Sequence, residues 1–430
     1  MSDSKTSGNA NAAIANLVAT NGMSYRFKPD VSTSIQRGLN INYPTGGSVY
    51  EPSQTTVFSL NTGSMFCEPQ HSFLQFTVTA TGGFSFGDKG SGCNVLSRVR
   101  CVSKSGDEIE NIGNWSGLAY IMNQYGQDSN FLSTYGDAMG FGAAGTFDGA
   151  IDDPTNKRRI IIPMSRLLGL FNFDGLLPSV VLSGLRIELT WERASVALMD
   201  ADAVAPPTFK IYNPEIHTML VQQTDALLRE VLSMSANQGA EMLFTSSSSS
   251  TYSFVSADRI NVRQDKAVSR ALSYLGILRA EYNENEYKYD SFASHGPWDI
   301  TSCQLQLGSI FMPSQPFSSV ENDVNRARDD VAKTMHYYAV QNFRERQNVM
   351  PRVTLTDFKD NAGIVYFSLE RAGALSGSGV PLSNSRAVLA NIKFGSGKGI
   401  GGDVTGYQFV SYLHHHKLLT AYMQNSVVSE

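Results

Sequence analysis

Charge is what this sequence has least of. Asp, Glu, Lys and Arg make up 17% of its 430 residues, where a soluble protein ordinarily carries about a quarter. The formal net charge is −5, with no basic run or tail. The electrostatic grip on phosphate that nucleic-acid binders rely on therefore has no visible source. Long hydrophobic runs are also missing, and none approaches the ~20 apolar residues of a membrane-spanning helix. The opening MSDSKTSGNANAAIANLVAT lacks a basic start followed by an apolar stretch. A secretion signal is therefore not expected, and synthesis and assembly inside a cell are. Cysteine is scarce as well. Cys67, Cys93, Cys101 and Cys303 form no CxxC pair and have no His at metal-ligand spacing, so they are expected as buried thiols in a reducing compartment.

What is present is apolar, aromatic and turn-forming. Hydrophobic residues reach 42%, aromatics 10%, and there are 37 glycines. The length exceeds what one core ordinarily supports, so two domains are expected. Few charges, many turn formers and many aromatics suit β-sandwiches with long uncharged loops.

Residues 1–22 are too poor in large side chains to fold alone, although Ile14, Leu17 and Val18 share one helical face. From about 34 the texture is β. In 72–81, Leu74, Phe76 and Val78 alternate with Phe73, Gln75 and Thr77, the mark of a strand with one buried face. Further strands are expected at 55–60, 94–103, the last half of 176–192, 209–223, 251–256, 268–279, 300–312, 364–371, 386–394 and 407–423. Helices are expected at 114–126, at 225–238 before Gly239, and at 319–343. In the last, Val320, Val324, Ala327, Val331, Met335 and Tyr338 recur at helical spacing. The Gly-, Ala- and Asp-rich stretch 131–158 reads as an outer surface loop. The serine run 246–250 reads as a flexible turn, and 198–208, closing on Pro206-Pro207, as a linker. The expected organisation is an arm (1–33), a first unit (34–197), the linker (198–208) and a second unit (209–430). LSGLRIEL (182–189) and LSNSRAVL (382–389) share Leu, Ser, Arg and Leu at the same offsets, which points to duplication.

The block IPMSRLLGLFNFDGLLPSVVLSGLRIELTWE (162–192) resembles the strand–loop–strand that closes the first jelly roll of double-jelly-roll major capsid proteins. These occur in polinton-like viruses, virophages and large eukaryotic DNA viruses. LQLGSIFMPSQPFSSVEN (305–322), GVPLSNSRAVLANIKF (379–394) and YLHHHKLLTAYMQN (412–425) resemble parts of their second jelly roll. The resemblance covers 34–425 and rests on hydrophobic pattern and order of elements. It implies a mainly β fold of two tandem jelly rolls with a few connecting helices and long surface loops. It also implies homotrimers of pseudo-hexagonal outline tiling an icosahedral shell, with penton and minor capsid proteins as partners. The arm would then touch a neighbouring capsomer, a minor protein or an internal membrane, with little direct nucleic-acid binding.

No catalytic, cofactor or metal residue is expected. GFSFG (83–87) fits the GxSxG pattern, but DKGSGCN follows it and starts no helix. GKGIGG (397–402) fits GxGxxG but leads into a strand and lacks the P-loop Lys-Ser or Lys-Thr. His414 and His416 form HxH on a strand, as in the metal-binding cupins, so a bicupin-like metalloenzyme is the alternative of a different class. KLLTAY follows where a ligand Glu should stand, which argues against it. A single-jelly-roll coat protein of a small virus would ordinarily carry a basic arm, whereas residues 1–30 hold Lys5, Arg26 and Lys28 against Asp3 and Asp30. A lectin-like attachment module would not need two rolls. Asn114-Trp115-Ser116 is a glycosylation sequon, and Asn114 is expected instead to cap the helix after it.

Overall fold

The computed structural model describes residues 34–87, 90–125, 132–140, 147, 156–173, 175–255, 259–282, 286–288, 300–318, 334, 337–340, 353–360, 364–370, 379–382, 387–394, 404–422 and 426–429. Most of the helix expected at 319–343 and the whole of GKGIGG (397–402) lie outside them.

The first unit contains β1 (Ser34–Asn42), β2 (Val49–Tyr50), β3 (Thr55–Ser59), β4 (Phe66–Ala80), β5 (Leu96–Val102), β6 (Glu108–Gly113), β7 (Arg158–Pro163), β8 (Arg186–Trp191) and β9 (Phe209–Gln223). Helix α1 (Trp115–Tyr125) follows β6. The second unit follows helix α2 (Asp225–Asn237). It contains β10 (Ala240–Phe254), β11 (Arg259–Gln264), β12 (Ala271–Tyr282), β13 (Ile300–Leu307), β14 (Ile310–Ser318), β15 (Val365–Ser368), β16 (Val388–Phe394), β17 (Val404–Ala421) and β18 (Ser426–Ser429).

Four antiparallel sheets result: β1-β9-β4-β7 with β2 also on β9, β3-β8-β5-β6, β10-β17-β12-β15 with β18 on β17, and β11-β16-β13-β14. β1 and β2 lie one after the other along β9, at residues 216–223 and 211–212, so they act as one strand position. β18 likewise follows in line with β12 along β17, at residues 418–421 after 404–415, so among the described residues each unit has eight positions. In both units the orders are 1-8-3-6 in one sheet and 2-7-4-5 in the other. That is a jelly roll, twice.

The alternation that marked 72–81 does what its period dictates. Leu74, Phe76 and Val78 are fully buried, each contributing roughly 1.5–3 kcal/mol of apolar burial. The second unit packs Ile260, Val262, Cys303, Leu305, Ala390, Ile392, Phe409 and Leu413 between its own sheets. A larger cluster runs from the first unit's interior onto Leu275, Ile277, Val410 and Tyr412 of the second. One sheet of the second unit is therefore buried on both faces, against its own partner sheet and against the first unit.

Five expectations need correction. Phe209–Gln223, expected to open the second unit, pairs with β1 and β4 and completes the first; the chain crosses between units at α2. The stretch 198–208 is accordingly a loop of the first unit. Leu198 is buried and Met199 bridges to Ser85. The serine run is strand, pairing residue for residue with Ser411–His415, because ladder hydrogen bonds to a central strand outweigh weak local preference. Residues 300–312 are two strands turning at Gly308, whose φ is +63°. Finally, described parts of 131–158 are core. Phe147 is 1% exposed, bonded to the main chain of Gly83 and Phe84, and set edge-on to Phe86. Met139 is equally buried and holds the N–H of Gly92.

The two copies of the internal parallel stand at equivalent places in the units, but the strands they enter differ in register by one residue. Both copies lead into the seventh strand of their unit, β8 and β16, and Leu182 and Leu382 are both fully buried. In β8 the inward residues are Ile187, Leu189 and Trp191, whereas in β16 they are Val388, Ala390 and Ile392.

Candidate functional site: the seam between the sandwiches

Where the two units meet, β6 and α1 of the first lie against β10 and β17 of the second. Polar contacts cross it. Lys417, 6% exposed, donates from Nζ to the main-chain oxygen of Ile109 at 3.0 Å. Tyr412 donates its hydroxyl to the main-chain oxygen of Asn114 at 2.7 Å, and the Asn114 side chain donates to Thr251 Oγ1 at 2.9 Å. Asn114 was expected to cap α1 with that side chain. It spends it across the seam instead, and its main-chain oxygen receives the N–H of Gly117. Its φ of +47° is a conformation Asn tolerates better than most residues.

Glu110 is the acid of the seam. It is fully buried, and its carboxylate accepts the N–H groups of Gly169 at 3.1 Å and Leu170 at 2.9 Å. Burial pushes its pKa up, opposed by these hydrogen bonds, by Ser246 and by the charge of Lys417. Gly169 is required by space, since a Cβ there would sit 1.8 Å from the oxygen of Thr245.

A cavity of about 520 Å³ opens beside these contacts, lined in part by Glu110, Asn123, Arg166, Ser273, Glu370 and His414. His414 Nδ1 lies 3.3 Å from Ser247 Oγ, and its Nε2 is buried without a hydrogen-bond partner. Burial, then the neighbouring His415, holds its pKa down at about 4. His416 does not line this cavity. Its Nδ1 lies 3.4 Å from Thr245 Oγ1, with its pKa lowered by burial and then by Arg270. The two histidines of HxH thus have separate surroundings, and among the described residues no three His, Cys, Asp or Glu side chains come together as metal ligands.

The other sequence candidates are dispersed. Ser85 of GFSFG is bridged to Met199, with its Oγ 3.5 Å from that residue's oxygen. All four cysteines are free and buried. Burial raises each thiol, Cys67 and Cys93 to about 11. Glu110, Lys417, Tyr412 and Gly169 were not anticipated. The available signal was Lys417 inside the otherwise uncharged YLHHHKLLTAY.

The outward surface has its own feature. Ile35, Leu39 and Ile41 on β1 are 61%, 50% and 40% exposed, on the sheet face away from the core.

No family profile matches the sequence, and no curated protein does. Solved structures do match. The Faustovirus major capsid protein aligns over 95% of this chain and 94% of its own, with a TM-score of 0.63 at 10% identity. PBCV-1 VP54, fitted into a reconstruction of the virophage Sputnik, aligns over 94% and 99%, with a TM-score of 0.59 at 11% identity. The Sputnik virophage structure gives 0.56 at 11% identity over 94% and 90%. The chain has the double-jelly-roll fold of these capsid structures. The likeness spans both units.

Proposed function

We propose that this protein is a non-enzymatic major capsid protein, located in the virion, whose trimers tile an icosahedral shell. The observation that carries the reading is the pair of jelly rolls with identical strand order, set side by side by a buried seam. Three such chains present six similar sandwiches, which is what a pseudo-hexagonal building block requires. The fold likeness to viral major capsid proteins supports it, since this fold's role in those proteins is to build a shell. In this reading copies of the chain are the main partners, penton and minor proteins complete the shell, and the arm (1–33) faces inward toward a neighbour, a minor protein or a membrane. Low charge and net acidity leave nucleic acid a minor partner.

The test is light scattering and negative-stain microscopy of purified protein. Trimers of six-sided outline are expected, with the large buried areas of obligate assemblies. A monomer at micromolar concentration overturns the reading. Metal analysis addresses the bicupin alternative. One equivalent of transition metal, lost on His414→Ala with His416→Ala, would reinstate it.

A further inference from the structure

The seam joins two unlike surfaces. From the first unit it takes strand β6 and helix α1, and from the second the outer face of the 1-8-3-6 sheet, at β10 and β17. A contact between unlike surfaces is head-to-tail, so it can repeat from unit to unit and close into a ring. Because the two units share one strand order, each surface exists twice in the chain, and the seam consumes one of each. Left over are the outer face of β1 and β9 in the first unit, equivalent to β10 and β17, and strand β14 of the second, equivalent to β6.

The used and unused copies differ in exposure. In β6, Ile109, Glu110 and Ile112 are buried. In β14, Ile310 and Phe311 are 47% and 44% exposed, and Ser314, Gln315 and Pro316 are exposed with them. On the first unit, Leu39 and Ile41 of β1 pair with Met219 and His217 of β9. Ile216 and Leu220, at the alternate positions of β9, belong to the core, so Leu39 and Ile41 project outward, with part-exposed Met219 beside them. Exposed apolar strips of this kind mark contact surfaces. β14 carries no charged residue, so it can be desolvated against such a strip without burying a charge. We propose that β14 of one copy docks on the β1–β9 face of the next, repeating the seam between chains. Three copies then close a ring of six sandwiches, in which seams within chains alternate with seams between them. The inference rests on the trimeric reading above and names the surfaces that make the trimer.

Sedimentation of the full chain and its variants tests it. Leu39→Asp with Ile41→Asp, and separately Ile310→Asp with Phe311→Asp, should each convert trimers to folded monomers. Each variant keeps the surface that the other has lost. Mixed together they should therefore give pairs, one copy of each, and no closed trimer. Thiol labelling serves where an aspartate variant fails to fold. The four native cysteines are buried, so Leu39→Cys and Phe311→Cys should report alone. In the trimer each should react roughly tenfold more slowly than Val204→Cys, at a position 97% exposed. Trimers that survive both aspartate pairs, or thiols that react as fast as the one at Val204→Cys, overturn the inference and leave the shell reading standing. Protection of only one of the two thiols also overturns it, and gives that surface to a different partner. A monomeric wild-type chain overturns the shell reading and this inference with it.

Discussion

Lys417 of the last long strand places its ammonium 3.0 Å from the main-chain oxygen of Ile109 in the other sandwich. The residue beside that oxygen is Glu110, whose buried carboxylate feels the Lys417 charge. A carbonyl, an ammonium and a carboxylate are thereby desolvated together at the joint between two units. Such groups add little net stability while complete, but removing one member leaves the others buried and uncompensated.

Lys417→Met keeps most of the side-chain volume and removes the charge. It should cost about 3 kcal/mol, read as a lowered denaturant midpoint at fixed protein concentration. Adding Glu110→Gln should recover part of the loss, because the uncompensated carboxylate goes with it. If the double variant is as unstable as the sum of the two single ones, the pair is not coupled.

Gly169 and Gly38 make a sharp contrast. A Cβ on Gly169 would meet the Thr245 oxygen at 1.8 Å, whereas nothing lies within 4 Å of one on Gly38. Gly169→Ala must push the 3₁₀ turn at 169–172 off β10, and should cost about 3 kcal/mol or more. Gly38→Ala should change stability by less than about 0.5 kcal/mol. Thermal unfolding of the two variants side by side decides it, and equal behaviour would mean the seam is looser than the geometry states.

Period and order were legible in the sequence wherever one face of a strand is buried. Leu74, Phe76 and Val78 announced β4, and the shared Leu-Ser-Arg-Leu announced two seventh strands. Pairing was less legible, because it depends on partners far along the chain. Ser246–Ser250 looks like a turn until Tyr412 and His414 lie opposite, and Phe209–Gln223 looks like a beginning because the loop before it ends in two prolines. The seam was least legible of all. Glu110 alternates as a polar residue should on a half-exposed strand, and only the second sandwich arriving over it makes it internal.

Phe147 tests how far the stretch 131–158 belongs to the core. It is 1% exposed, edge-on to Phe86 at 5.5 Å, and covered by the Arg158 guanidinium 4.1 Å from its ring centre. Phe147→Ala should destabilise the first unit by about 3–5 kcal/mol. Tyr135→Ala, at 67% exposure, should be close to neutral. Excising the whole stretch should therefore yield insoluble protein, and a soluble, fully stable excision variant would return the segment to the outer surface.

Acid should loosen the seam through His414. Its folded-state pKa, held near 4 by burial, lies below the value near 6.5 of an unfolded chain. The unfolded state therefore takes up the proton first as pH falls. Stability from this residue is complete above about pH 6.5 and drains away as pH falls toward 4. The loss is roughly 1–3 kcal/mol, since the ring keeps some contact with solvent. His416, lowered for the same first reason, acts in the same direction. Glu110 acts in the opposite one, because its raised pKa means that protonation relieves its burial cost. The wild-type slope is thus a sum, and the informative measurement is a difference. Denaturant midpoints at pH 7 and pH 5 should fall further apart in the wild type than in His414→Gln, which retains a polar side chain facing Ser247 but cannot take up the proton. An identical pH dependence in the two proteins would show that His414 does not govern the acid response.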